Sequence, residues 1–373
     1  ADDRRTLGEI KGEISNMTRK PYFSIVMPAY GVEAYIEQAI RSIQAQTESD
    51  WEIIVVDDCA KDRSGEIADR EAQKDERIRV LHLEENVGLS KARNAGMKEA
   101  CGSYIWFMDP DDTVDKDVLE QVRRSLEKNP AEVVMFGLVE EYYNGKGALS
   151  YTHEICPEEK FCMGKEELRK EVLSLEQQTL YGYTWNKIYS LDYMRKLNLK
   201  FETVTLIEDI VFNVQYFMDI ERLNILGIAP YHYAKRLEEN LTNKFVPDYF
   251  ALHKRRIEMI YDQHVYWNLC TKEVKQVLGG LYGRYILSAL ERNCDKRSGM
   301  DHQQRYMFCR ALFCQGLFED LIPVAKADES RTLKIALRLL KWKRTMLCLL
   351  MGRGIYIVRH GFPILYSKVK SGR

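Results

Sequence analysis

Residues 107–114 read FMDPDDTV, so an apolar run ends on Asp109, Asp111 and Asp112 with only Pro110 among them. Two like charges about 4 Å apart repel by roughly 4 kcal/mol at an effective dielectric near 20, so such a cluster at a strand's edge needs a cation or a protonated member. Asp57 and Asp58 end a second apolar run, WEIIVVDD, and Glu208 with Asp209 sit in IEDIVFN. A hard divalent ion with oxygen ligands suits Asp109 and Asp111, and such an ion would serve a phosphorylated ligand. Neither common phosphate cradle is present: GxxxxGK[ST] is absent, and no GxGxxG follows the first strand.

The elements that must hold these acids are legible. YFSIVMPAY is β-rich, AYIEQAIRSIQAQ carries Ile36, Ile40 and Ile43 at helical spacing, and WEIIVVDD is continuously apolar. The alternation continues with a helix over 63–74, strand IRVLHL, helix LSKARNAGMKEA, strand SYIWFM, a helix over 116–128 and strand EVVMF. This syntax predicts a mostly parallel sheet with helices on both faces. Ligand crevices in such sheets lie beyond the carboxyl ends of the strands, so residues 28–30, Asp57 with Asp58, and the 109–112 acids should face one cleft. An irregular hairpin containing YNGKG is expected over 138–162, then an amphipathic helix opened by Gly164. TWNKIYS, TLIEDIVFNVQYF and APYHYAKRLEENLTNKF read as the other wall of the cleft, and from Pro247 the spacing is helical, with a loop over 293–304. The division read this way is a leader over 1–20, an α/β domain over 21–245 with halves 21–136 and 137–245, a helical domain over 246–330 and a basic amphipathic tail over 331–373.

The 373 residues, 45% hydrophobic and 11% aromatic, provide for more than one core. Nine cysteines show no CxxC or zinc spacing, so a reducing cytosol is the simplest compartment. ADDRRTLGEIKGEISN lacks the apolar core of a signal peptide, and Met17 opens MTRKPYFSIV in the manner of a natural start. A net charge of −1 hides an asymmetry: residues 331–373 hold eleven Lys and Arg and no acid, leaving a body of −12 beside a tail of +11. Basic residues interleaved with Leu, Ile, Trp and Tyr suit an interfacial helix on anionic lipid, with a solvated or oligomer-forming face as the alternative. Arg353 and Arg359 interrupt any uniform apolar span of about 20 residues, and no nucleic-acid module accompanies the charge.

Taken in order, FSIVMPAY, YIEQAIRSIQAQ, WEIIVVDDCAKDRSGEIA and RIRVLHLEENVGLSKARNAGMKEACGSYIWFMDPDD resemble the nucleotide-sugar half of family 2 glycosyltransferases, enzymes of the GT-A fold. TWNKIYS, IEDIVFN and PYHYAKRLEENLTN are similar to acceptor-side elements of the bacterial surface-polysaccharide members. The resemblance implies a Rossmann-like α/β GT-A domain, followed here by a C-terminal helical region. It implies an inverting, metal-dependent transferase moving a hexosyl or N-acetylhexosaminyl group from a nucleoside diphosphate, UDP in the first instance, to a glycan or polyprenyl-diphosphate-linked acceptor. With the cysteine usage and the basic tail, the expectation is a cytoplasmic enzyme peripheral to the inner face of the plasma membrane.

Carried over by residue, the resemblance puts Pro28, Ala29 and Tyr30 at the base, Asp57 or Asp58 on the nucleotide, and Asn86 and Arg93 near ribose or phosphate. Asp109-Pro110-Asp111 becomes the DxD that grips Mn2+ or Mg2+ beneath the diphosphate. Asp209 becomes the catalytic base, with Glu208 positioning the acceptor. Trp185 and Lys187 match a W-x-K element on the acceptor side, where a Trp face suits a sugar ring and Lys187 would reach an acceptor phosphate or brace the ED loop, and His232 and Arg236 lie near the leaving diphosphate. Bland readings stand beside these: a buried Trp185, a plain turn at Asn86 and Gly88 with Arg93 paired to an acid, Asp112 as a helix cap, and a structural His232. The chain departs from the family pattern at Gly31, where Asn is usual, and at Cys59, where DDGSxD has Gly. A non-catalytic nucleotide-sugar-binding scaffold and a nucleotidyltransferase are the alternative functions; the latter normally has a basic, glycine-rich loop, which is absent after Val26.

Overall fold

The computed structural model describes residues 20–236, 245–327 and 331–361. All of the expected leader but Lys20, and the tail past residue 361, lie outside them. The first half follows the predicted alternation: β1 (Phe23–Ala29), α1 (Ile36–Gln44), β2 (Trp51–Asp57), α2 (Ser64–Ala72), β3 (Ile78–His82), α3 (Leu89–Glu99), β4 (Tyr104–Phe107), β5 (Thr113–Val114), α4 (Val118–Lys128) and β6 (Val133–Met135). There follow β7 (Leu138–Tyr143), β8 (Leu149–Ile155), β9 (Lys160–Cys162), α5 (Lys165–Gln177), β10 (Lys187–Ser190), α6 (Leu191–Lys196), α7 (Glu208–Phe217), β11 (Leu223–Ile225) and β12 (Tyr231–Lys235). The C-terminal part is α8 (Tyr249–Tyr266), α9 (Lys272–Arg292), α10 (His302–Leu312), α11 (Gly316–Leu321), α12 (Arg331–Lys341) and α13 (Thr345–Gly361).

Eight strands form one sheet in the order β3-β2-β1-β4-β10-β6-β11-β9. The β3-β2-β1-β4 stretch is parallel, whereas β10 runs antiparallel to both β4 and β6. β1 and β2 are buried along their whole length, as strands covered on both faces must be. α3 comes close to them because Gly96 has no side chain: a Cβ there would stand 2.4 Å from Val26 Cγ1. At the opposite strand ends the buried Glu52 accepts from Ser24 Oγ (2.6 Å), the Cys101 N–H (2.9 Å) and Arg79 (2.9 Å). Burial pushes its carboxyl upward, but these bonds prevail and hold it below the ordinary value. The expected hairpin over 138–162 supplies β7 and β8 to a second sheet, β5-β12-β7-β8.

The chain divides into two compact units, one of residues 20–171, 178–204 and 215–236, the other of 172–177, 205–214, 245–327 and 331–361. Both sheets belong to the first. In the second, the basic segment is not a free appendage. α12 buries Leu333, Ala336, Leu337 and Leu340, and Leu337 packs so closely on α9 that a Cβ on Gly283 would lie 2.5 Å from its Cδ2. α13 lies against α9 as well: a Cβ on Gly352 would stand 2.8 Å from Leu290 O, and Arg359 pairs with the buried Glu291 at 3.0 Å. No helix among the described residues is long and apolar enough to cross a membrane.

Candidate active site

β2, β1 and β4 are adjacent and parallel, so their carboxyl ends emerge side by side. The backbone ties continue past the ladder: the Asp58 N–H donates to Ala29 O and the Met108 N–H to Val26 O, both at 3.0 Å. Asp57 and Asp109 leave from these ends, as expected. The DPDD turn closes with the Asp112 N–H on Asp109 O (3.3 Å) and is anchored from β12. Tyr231, fully buried, donates its hydroxyl to Asp112 Oδ2 (2.8 Å) and accepts the Asp109 N–H (3.3 Å), while the Ala234 N–H donates to Asp112 Oδ1 (2.9 Å). Asp112 therefore joins the turn to the second sheet and does not cap α4; Asp117 occupies that position.

The positive charge that the acids demand comes partly from the chain itself. Arg93, 2% exposed, donates to Asp109 Oδ1 at 2.9 Å, the pairing with an acid that the plainer reading of this residue expects. Arg236 lies 3.4 Å from Asp111 Oδ2, donates to Asp111 O at 3.0 Å and stacks 3.8 Å above the Tyr35 ring. Burial raises the Asp111 carboxyl above its ordinary value, and Arg236 opposes this in part. Burial, then the charges of Asp111 and Asp109, raise that of Asp112 well above it. Asp111, Tyr35, Tyr143, His232 and Arg236 line one cavity of about 280 Å3.

The β2 end is a clamp. Asp58 accepts the Val87 N–H (2.7 Å) on Oδ1 and the Gly88 N–H (2.9 Å) on Oδ2, and its carbonyl accepts from Asn86 (3.2 Å). Asn86 and Gly88 thus shape the entry to α3. Asp57 accepts the Ala60 N–H at 2.9 Å. Cys59 between them has φ +53° and Gly31 has φ +70°, the left-handed region that favours Gly and Asn. The usual glycine at the first position and asparagine at the second have this physical reason. Pro28 and Ala29 are buried within β1, whereas Tyr30 is 48% exposed.

The acceptor-side residues divide. Trp185 is 3% exposed and stacked on Tyr183 and Tyr231, each at 4.4 Å, so its indole is packed into the protein and offers no open face to a sugar. Lys187 is fully buried and donates to Leu180 O, Tyr183 O and Asn186 Oδ1, so it braces the loop before β10 and has no access to an acceptor phosphate. His232 lies between Glu141 (2.9 Å) and Asp115 (3.2 Å) at the rim of the cavity. Glu208 and Asp209 open α7 in the second unit, behind Leu206 at φ +67°. Sequence reasoning missed Tyr231 and Tyr35, whose signal was only an aromatic beside a polar cluster, and His82, which ends β3 in register with Asp57.

Among the described residues no group of three or more His, Cys, Asp or Glu is placed to hold a metal. A hard cation here would take most of its ligands from a donor's phosphates and water, the usual arrangement for Mg2+. The residues fit that arrangement: Asp111, whose contact with Arg236 is the longer at 3.4 Å, has 41% of its side chain exposed, against 25% for Asp109, which holds Arg93 at 2.9 Å.

The geometry agrees with the comparisons to known proteins. Residues 24–197 match the model of Glycosyl transferase family 2. The glycosyltransferase EpsJ of Bacillus subtilis is 36% identical over 214 residues, 57% of this chain and 61% of its own. The poly(ribitol-phosphate) beta-N-acetylglucosaminyltransferase TarS of Staphylococcus aureus is 28% identical over 229 residues, 60% of this chain and 37% of that one. The chain thus spans less than two thirds of the length of these curated relatives. The crystal structure of S. aureus TarS 1-349 in complex with UDP-GlcNAc matches 92% of both chains with a TM-score of 0.59 at 21% identity, so the fold is shared. Residues 24–197, which carry the matched motifs, the parallel β3-β2-β1-β4 sheet and the acids at its strand ends, are a glycosyltransferase family 2 domain.

Proposed function

We propose that the protein transfers a sugar from a nucleoside diphosphate, with UDP as the nucleotide, to a hydroxyl of a glycan or polyprenyl-diphosphate-linked acceptor, with inversion, during assembly of a bacterial surface polysaccharide. The observation that carries this reading is the convergence of Asp57, Asp109 and Asp111 at the carboxyl ends of adjacent strands within a family 2 domain. Tyr30 and Asp57 receive the base and ribose, since a carboxylate accepts from a base N–H or a sugar hydroxyl. Asp111, with Asp109 beside it, would hold Mg2+ or Mn2+, whose charge would offset that of the leaving diphosphate. Arg236 and Arg93 add fixed positive charge to the same end of the sheet and favour departure of the nucleoside diphosphate. Asp209 takes the proton from the acceptor hydroxyl as that oxygen attacks the anomeric carbon, and Glu208 orients the acceptor.

The basic C-terminal segment supports a seat for the enzyme on the inner face of an anionic membrane. Trp342 (65% exposed), Leu350 (62%) and Ile357 (53%) accompany it with Arg344, Arg353 and Arg359, the composition of an interfacial helix. The deciding experiment compares Asp209→Asn with Asp111→Asn. The first should bind UDP normally and lose transfer of radiolabelled sugar by at least about 100-fold, the scale of a lost general base. The second should lose the Mn2+ dependence of UDP binding. Full transfer by both variants would overturn the assignment.

A further inference from the structure

We infer that His82 is a positioning residue of the donor site: clamped as an imidazolium between Asp57 and Asp69, it fixes the Asp57 carboxylate and couples donor affinity to pH. The inference rests on the reading of Asp57 as a donor-binding group. His82 ends β3, the edge strand, in parallel register with Asp57 at the end of β2. Its Nδ1 lies 2.8 Å from Asp57 Oδ2 and its Nε2 lies 3.0 Å from Asp69 Oδ1. A neutral imidazole has one N–H and one lone pair, so it can donate to only one of these carboxylates and must turn its lone pair on the other. Only the cation satisfies both contacts.

Two further observations show that the arrangement is built. Asp57 Oδ1 is fixed by the Ala60 N–H at 2.9 Å, so His82 supplies the second restraint on the same carboxylate. On α2, a Cβ at Gly65 would stand 2.4 Å from Asp57 Oδ2 and 3.4 Å from His82 Cε1, so the helix leaves room for the pair only by lacking a side chain there. The charged groups acting on the ring are both acids, Asp57 from β2 and Asp69 from α2. Their hydrogen bonds, that of Asp57 foremost, outweigh burial and raise the imidazole above its ordinary value. A group raised in this way holds its contribution at low pH and loses it as pH climbs through the raised value. Once the proton leaves, one N–H is left for two carboxylates, the restraint on Asp57 slackens, and the donor binds less well.

The test measures UDP affinity by calorimetry on the full chain at about pH 6 and about pH 9, for the native protein, His82→Asn and Asp69→Asn. Taking the ratio of native to His82→Asn affinity cancels the titration of UDP itself. That ratio should be about tenfold at the lower pH and fall towards unity at the higher. Proton NMR of the His82 ring should give a titration midpoint above about 6.5 that moves higher with UDP bound and lower in Asp69→Asn. In turnover the change should appear in KM for the donor and leave kcat nearly constant. A ratio equal at both pH values, or a ring midpoint unmoved by UDP, overturns the role of His82 while the donor site stands. Failure of the native protein to bind UDP at either pH overturns the donor reading and this inference with it.

Discussion

Lys187→Met removes an ammonium group that donates to Leu180 O at 2.8 Å, Tyr183 O at 2.6 Å and Asn186 Oδ1 at 2.8 Å from a fully buried position. Three acceptors at these distances require three hydrogens, so the side chain is charged where it lies. Leu180 O keeps a second donor, Asn186 Nδ2 at 3.1 Å, whereas the other two acceptors lose their bonds to the ammonium. A hydrogen bond to a charged group is worth about 1.5–3 kcal/mol net, and relief from burying the charge offsets part of the two bonds that are not replaced. The expected loss is about 3 kcal/mol, or about 6–12 °C in the melting midpoint of a unit this size. Thermal unfolding by circular dichroism measures it, and UDP binding well below the transition should be unchanged. A variant that melts within about 1 °C of the native protein would refute the bracing role. A stable variant that no longer binds UDP would show the side chain to be a ligand contact.

Cys59→Gly should stabilise the protein by about 0.5–1 kcal/mol in urea titration, because relief at φ +53° exceeds the extra freedom glycine gives the unfolded chain. Glu52→Gln should cost about 1–2 kcal/mol near neutrality through its weakened bonds to Ser24, Cys101 and Arg79. Because the Glu52 carboxyl is held below its ordinary 4.5, its contribution is complete above that pH and lost as pH falls towards the depressed value, so acid unfolding of the variant should lack this component. Charge reversal of Arg344 and Arg353 in the full chain should lower flotation with phosphatidylserine vesicles at least about tenfold, at about 1 kcal/mol per basic residue removed, and undiminished binding would argue for a different occupant of this face.

The strands and helices of the first unit were legible because each owes its existence to local patterning: the apolar run of β2 and the Ile36, Ile40, Ile43 spacing of α1 need no partner to be recognised. The acids were legible for the same reason, since three carboxylates after a buried strand are conspicuous wherever the chain leads. What answers them was legible only through the resemblance, which set Arg93 and Arg236 at the nucleotide end, and not through local patterning. Arg236 comes from 125 residues beyond Asp111, and the Asn94 exchange of hydrogen bonds with Phe201 spans 107 residues. No periodicity registers such pairings. Trp185 and Lys187 misled in the opposite sense: their types suit a sugar and a phosphate, and only tertiary packing directs them inward, onto Tyr183 and Tyr231 and onto backbone carbonyls. The family's habitual Gly in place of Cys59 showed as a departure in composition, and its cause became visible only as a backbone angle.

Residues 172–177 and 205–214 are grouped with the C-terminal helices although they are enclosed in the sequence of the sheet domain. Glu176 takes two bonds from Arg256 at 2.7 and 2.9 Å, and Val214 O accepts from Gln263 at 3.1 Å. A truncation near residue 245 would therefore do more than shorten the protein: it would strip α5 and α7 of the neighbours that satisfy them. Exchanging helical modules between related chains would have to carry these two inserts along, which makes the C-terminal helices a poor candidate for an interchangeable accessory.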